Sequence, residues 1–353
     1  GSFINHAPVN MAAMIPPNRD TPDSLINFQP QYGPVIPFSK FYELLDQKTW
    51  NGEPWDVRVF YCYCCDMLSN MSNRNRNIEL LDKLEMLVVA DPFMTDTARY
   101  ADYVLPSSFW FEQEDMYLTA QHSHPYAMYN EKAIEPLYES KPDFEIFNLL
   151  FDALDLSECK VETQREWFAM ALDDDANRAA GVTPEALYRD KVVRNYFPAE
   201  FSEAEGVLTW VCEKEMLAPK WDDGQDFDPV PQQQLHWEPP HEAWYTNELH
   251  EKYPFNAISQ RSRYRTHTQW WDVKVLQELD PEPTIKINPQ DAEAYGIEDG
   301  SYMRIYNDRG TLTAKAVFHQ GVQPGTLYTP RGWQEHQIVD GHHNTLSSSY
   351  IEP

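Results

Sequence analysis

Residues 87–112, LVVADPFMTDTARYADYVLPSSFWFE, constrain the fold more than any other stretch. A short apolar, β-branched run, Leu87 to Ala90, has the length of a buried strand. It delivers Asp91 to the strand's carboxyl end, where open α/β sheets bind ligands. Thr95, Asp96 and Thr97 then offer helix-capping oxygens, and a second apolar run, Tyr103 to Leu105, stops at Pro106. Upstream, Val57 to Tyr63 alternates as a strand, and Asn75 to Leu84 carries Ile78, Leu81 and Leu84 as one apolar helical stripe. Strand, helix, strand in that order predicts a parallel-sheet unit, so the fold class is α/β. Asp91 has two readings here. It is a two-point acceptor for a ribose diol or the N1–H and N2–H edge of guanine, or it caps the turn behind it.

The ligand classes open to such a strand end depend on charge. Lys plus Arg number 28 against 56 Asp plus Glu, a formal charge of −28, so most of the surface repels a nucleic-acid backbone or an anionic membrane. Phosphate can bind only where cations gather locally. They gather in Gln260-Arg261-Ser262-Arg263-Tyr264-Arg265-Thr266-His267-Thr268-Gln269, which reads either as a solvated basic loop or as a phosphate or pterin cradle. No run approaches the roughly 20 apolar residues of a membrane span, and direct membrane insertion is not expected. At 353 residues the chain has room for two or three domains.

Two motifs invite a metal and have a plainer alternative. Cys62, Cys64 and Cys65 form a C-x-C-C run without the separated pairs of zinc ribbons or iron–sulfur motifs, and otherwise read as small buried residues. His122 and His124 are half of a hydrolase-type metal site, or two surface or channel histidines. Further on, Lys141-Pro142-Asp143 opens a helix, Phe144 to Leu154, with Asp143 as N-cap or first-turn acid. Trp167 to Leu172 and Pro184 to Arg194 read as helices, the latter with Thr183 as cap, and the acidic, Pro-rich segment from Asp222 to Pro240 reads as a linker. Thr284 to Ile287 and Thr326 to Thr329 are strands, and Tyr302–Tyr306 with Thr311–Phe318 alternates around Asp308-Arg309-Gly310 as a hairpin.

The string D-x-F-x-T-D-T-A-x-x-A-D-x-V-L-P followed by Glu112 resembles the molybdopterin oxidoreductases of the dimethyl sulfoxide reductase superfamily, in the third of their four domains. The likeness resumes at the end of the chain. I-N-P-x-D-A-x-x-x-G-I-x-D-G, then R-G, V-x-P-G, Gly332-Trp333 and Gly341-His342-His343-Asn344-Thr345-Leu346 resemble the six-stranded double-psi β-barrel that closes these enzymes. The resemblance implies a Rossmann-like domain at 37–156, a helical connection and linker at 157–250 and a dinucleotide-binding barrel at 251–353, with 1–36 a linker or the remnant of a preceding domain. Residues 201–213 are loosely similar to a family hairpin.

The implied cofactor is a bis-molybdopterin guanine dinucleotide carrying molybdenum or tungsten. The implied cofactor-binding residues are Cys65, Asp66, Ala90, Asp91, Thr95, Gln113, Asp143, Ser259, Arg261, Arg263, His267, Thr268, Trp333 and Asn344. Cys64 to Met67 replace a Gly-x-Asn-Pro-like turn that passes close to the cofactor in that family, and a carboxylate at Asp66 would repel phosphate. The metal's protein ligand and the iron–sulfur cysteines belong to the family's amino-terminal half. The expectation is therefore a cofactor-holding carboxyl-terminal portion, joined to the rest of its subunit. Its expected partners are a small-molecule substrate and an iron–sulfur electron-transfer subunit. Oxygen-atom or hydroxyl transfer, or another two-electron change, is the implied chemistry. The alternatives are a non-redox hydratase or transhydroxylase of the same superfamily, or a cofactor-free assembly subunit. Either the cytoplasm or export by a twin-arginine leader fits.

Overall fold

The computed structural model describes residues 43–50, 53–118, 126–173, 175–179, 181–194, 240 and 242–348. The reading of 1–36 as a linker, the His122/His124 pair, the 201–213 hairpin and all but Pro240 of the acidic linker lie outside the described residues. The fold is mixed α/β, in two compact units: residues 1–36 with 105–213, and residues 37–104 with 214–353.

In the second unit, β1 (Val59–Tyr63) runs parallel to β2 (Met86–Ala90), with Tyr63 opposite Ala90. Both strands therefore end together, and the turn after Tyr63 and the turn at Asp91 leave from the same sheet edge. Leu87, Val89 and Ala90 are buried, as the apolar run requires. The crossover consists of α1 (Met67–Asn70) and α2 (Arg74–Leu81). Helix α2 stops short of Leu84 because the amides of Lys83 and Leu84 bond carbonyls only three residues back, which tightens its end into a turn. Thr95 caps α3 (Asp96–Tyr100) by accepting a hydrogen bond from the Ala98 amide at 3.2 Å. Strand β3 (Tyr103–Leu105) completes this three-stranded sheet.

The first unit holds an antiparallel sheet of β4 (Asp115–Leu118), β5 (Tyr126–Asn130) and β6 (Val192–Arg194), in that order. Helices α4 (Asp143–Ala153), α5 (Gln164–Leu172) and α6 (Pro184–Asp190) accompany it, and Phe168, Leu172, Val182 and Leu187 bury against Ala127 and Tyr129. Thr183 caps α6, with Pro184 in its first turn. The helix does not run to Arg194 as expected. Lys191 takes a left-handed conformation (φ 64°), and the β-branched pair Val192–Val193 pairs with β5 instead.

The second unit's largest sheet has six strands: β7 (Asn256–Gln260), β8 (Thr284–Ile287), β9 (Tyr302–Tyr306), β10 (Thr311–Phe318), β11 (Thr326–Pro330) and β12 (Asp340–Gly341). The order is β9-β10-β8-β11-β7, with β12 also on β10; β8–β10 and β7–β11 are parallel and the remaining pairs antiparallel. The alternation read from the sequence is the observed pleat. Leu312, Ala314 and Ala316 point inward to Ile285, Ile287, Leu327 and Trp333. Each fully buried Leu or Ile there contributes about 1.5–3 kcal/mol.

Candidate functional site

The turn that follows β1 owes its shape to Cys64, which sits in the left-handed region at φ 54°. For a residue with a Cβ that conformation costs about 1–2 kcal/mol, which is why glycine suits such a position. The turn folds Cys65 back toward Cys62, whose Sγ lies 3.2 Å from the Cys65 carbonyl oxygen. Cys62 is buried, Cys64 exposed and Cys65 half-buried. The Cys62 and Cys65 side chains shift each other's titration, and both feel the negative charges of Asp66 and Asp91. Cys65, Asp66 and Asp91 are thus one local cluster, with Ala90 buried at the end of β2 beside it.

Asp66 does not aim at a phosphate. Its Oδ1 accepts from the Thr97 hydroxyl at 2.8 Å and its Oδ2 from Gln334 Nε2 at 2.7 Å, so the carboxylate is buried and turned into the protein. The repulsion expected between Asp66 and a phosphate is met by internal donors. Around it lies a larger buried cluster. Gln334 Oε1 accepts from the Asp96 amide at 2.6 Å, and Asp96 receives Arg74 Nη1 at 2.9 Å, the Ser69 hydroxyl at 3.0 Å and the Glu335 amide at 3.0 Å. Arg74 also reaches Glu335 at 2.7 Å. Burial holds the Asp96 carboxyl above its ordinary range, with Arg74 pulling the other way.

Several candidate residues have internal work. Asn344 is buried and donates to the Ser69 carbonyl at 2.8 Å. Trp333 is a core residue, with the Arg265 guanidinium 3.6 Å from its ring centroid. Thr95 is the α3 cap described above. Asp91 Oδ1 accepts from the Phe93 amide at 2.8 Å, so the turn-capping reading holds for that oxygen. Gln113 and Asp143 belong to the first unit. Asp143 occupies the first turn of α4 behind Pro142 at the N-cap position, and burial raises its carboxyl above the usual range.

The basic loop is different. Ser259 lies in the exposed stretch of β7 opposite Thr329, and Arg261, Arg263 and His267 are exposed while Thr268 is half-buried. Among the described residues neither Arg261 nor Arg263 has a carboxylate partner, in a chain where acids outnumber bases two to one. Arg265 is the exception within the loop: it is buried and paired with Asp280 at 2.9 Å. His267, at φ 52°, accepts from Arg331 Nη2 at 3.0 Å, and a Cβ on Gly332 would stand 1.8 Å from the His267 carbonyl oxygen. Only glycine lets Arg331 be carried this close to the loop.

Arg331 and His343 were not legible as site residues. The His342 and His343 rings lie 4.3 Å apart between centroids, tilted by 36°. His342 Nδ1 accepts from the Asn344 amide and its Nε2 faces the Trp333 carbonyl at 3.1 Å, the pattern of a neutral imidazole, and burial lowers its pKa strongly. Burial and the charges of Arg331 and Arg74 lower His343 to about 4, and its Nδ1 is buried with no hydrogen-bond partner among the described residues. Exposed unpaired guanidiniums suit a diphosphate, and an orphaned ring nitrogen beside Arg331 suits the amide and amine edge of a pterin, so the donor set fits the dinucleotide implied by the sequence.

Comparison with known proteins follows the same two stretches. Residues 46–153 match the family model "molybdopterin oxidoreductase" and residues 255–353 match "molydopterin dinucleotide binding domain". The putative dimethyl sulfoxide reductase catalytic chain of Halobacterium salinarum is 32% identical over 318 residues, which is 85% of this chain and 36% of that protein. Trimethylamine-N-oxide reductase 1 of Escherichia coli is 27% identical over 352 residues, 90% of this chain and 40% of that protein. The chain thus spans well under half of the relatives it matches. Among solved structures, acetylene hydratase from Pelobacter acetylenicus shares the fold, with a TM-score of 0.66 at 21% identity over 88% of this chain and 41% of that one.

Proposed function

The chain belongs to the molybdopterin oxidoreductases of the dimethyl sulfoxide reductase superfamily, and from that premise we propose that it is the cofactor-holding carboxyl-terminal portion of a molybdenum- or tungsten-dependent two-electron enzyme. When bound, bis-molybdopterin guanine dinucleotide supplies a metal centre able to exchange two electrons, or an oxygen atom or hydroxyl, with a small substrate. This chain's part is to bind and orient. Arg261 and Arg263, with Ser259, His267 and Thr268 alongside, neutralise diphosphate, and Arg331 holds His267 in place. Asp91, held by the Phe93 amide through one oxygen, serves the ribose or guanine edge. Gln113 and Asp143 are proposed for amide and guanine contacts. Asp66, Asn344 and Trp333 position the turns that carry those groups and do not contact the ligand themselves.

The six-stranded sheet with its crossed parallel and antiparallel neighbours suits a double-psi barrel, and the 37–156 and 251–353 divisions are retained as proposals. The observation that carries the reading is the exposed pair Arg261 and Arg263, without carboxylate partners among the described residues, inside the stretch matching the dinucleotide-binding model. Metal analysis and guanine release on the complete enzyme test it: molybdenum or tungsten together with guanine nucleotide is expected. Finding neither metal nor nucleotide would favour an assembly role. Turnover of a redox dye separates an oxidoreductase from a hydratase, which would leave the dye unchanged.

A further inference from the structure

The proposed function gives the thiols of the three cysteines at the end of β1 no role, and their placement selects one pair. Cys64 and Cys65 are chain neighbours, so their Cα atoms stand about 3.8 Å apart across a trans peptide, below the usual 4.4–6.8 Å of a disulfide. Cys64 is exposed whereas Cys62 is buried, so these two thiols face different surroundings. Cys62 and Cys65, two residues between them, are instead folded onto each other by the left-handed turn at Cys64, with Cys62 Sγ 3.2 Å from the Cys65 carbonyl oxygen.

We infer that Cys62 and Cys65 are a thiol–disulfide exchange site, with half-buried Cys65 the attacking sulfur, buried Cys62 the resolving sulfur, and a low-molecular-weight disulfide such as oxidised glutathione the oxidant. The Cys62 side chain lowers the Cys65 pKa against burial and nearby acids, while Cys65 and burial raise Cys62. The attacking and resolving roles follow from exposure and agree with those directions. In the first step the Cys65 thiolate attacks one sulfur of the glutathione disulfide, forming a mixed disulfide and releasing one glutathione thiolate, which takes up a proton. In the second, Cys62 gives up its proton and attacks the Cys65 sulfur, forming the Cys62–Cys65 bond and releasing the second glutathione thiol. Two cysteine thiols lose two electrons and one disulfide gains them. The bond closes the turn that leads directly into Asp66 and its ties to Thr97 and Gln334.

The readout is covalent and independent of whether cofactor binds. The chain is incubated with oxidised glutathione and its remaining free thiols are blocked with N-ethylmaleimide. It is then reduced, relabelled with iodoacetamide and mapped by mass spectrometry. The second label is expected on Cys62 and Cys65 and on no other of the five cysteines. Cys62→Ser should trap glutathione on Cys65, reacting on the order of tenfold faster than Cys159. Glutathione trapped on Cys64, or Cys65 reacting no faster than Cys159 in that variant, overturns the assignment.

Discussion

The turn at residues 64–69 and the loop at residues 259–268 both belong to the second unit, both are polar, and both fall within stretches that match the family models. They differ in what satisfies them. Asp66 and its neighbours are buried and saturated by Thr97, Gln334, Arg74 and Asn344, whereas Arg261 and Arg263 are exposed and carry no carboxylate partner among the described residues. A buried, satisfied polar group fixes the backbone; an exposed cation held near others of like sign is available to an anion. Motif position alone does not distinguish the two roles. The hydrogen-bond inventory does.

The sharpest way to break this comparison is to remove one member of the saturated cluster. Asp96→Ala leaves Arg74 buried without its 2.9 Å partner and should cost about 3–5 kcal/mol in urea unfolding. A loss below about 1 kcal/mol would show the cluster to be dispensable. On the other side, Arg261→Ala with Arg263→Ala should leave stability within about 0.5 kcal/mol and weaken inorganic pyrophosphate binding on the order of a hundredfold. Calorimetry at low and high salt checks this, and unchanged binding would return the loop to ordinary surface.

His343 lies between the two behaviours, buried yet with an orphaned Nδ1. Its folded pKa of about 4 is below the ordinary 6.5, so the unfolded chain takes up the proton first as pH falls. The sign follows: its stability contribution is complete above about pH 6.5 and is lost as pH drops toward 4, by about 2–3 kcal/mol. His342 acts in the same direction. His343→Gln should flatten that slope in denaturation curves between pH 4 and 7, and an unaltered slope would place the titration elsewhere. The smallest effect is expected at Asp91. Asp91→Ser keeps an acceptor for the Phe93 amide, so stability should change by less than about 1 kcal/mol while guanine nucleotide retained by the complete enzyme falls. Equal retention would confine Asp91 to capping.

Much of the fold was legible because it rests on local physics. The β2 run, the Thr95 and Thr183 caps and the alternation of β10 appear where short-range periodicity and capping chemistry predicted them. The Pro184–Arg194 helix was half right, because a left-handed Lys191 and pairing with β5 are decided by a strand far back in the chain, Val192 facing Met128. Sequence named the loop's cations but could not separate Arg265, which is consumed by Asp280 and Trp333, from Arg261 and Arg263. Arg331 and His343 gave no signal, since each matters through neighbours distant in the chain.

By itself, the amino-acid order determined the family, the order of strands and helices in its strongest stretches, and where cations collect in an acidic chain, because these depend on neighbours a few residues apart. Only the tertiary structure decided which polar groups are consumed internally. Asp66 meets Gln334 across 268 positions and Asn344 meets Ser69 across 275, and a carboxylate's role turns on whether such a distant donor arrives.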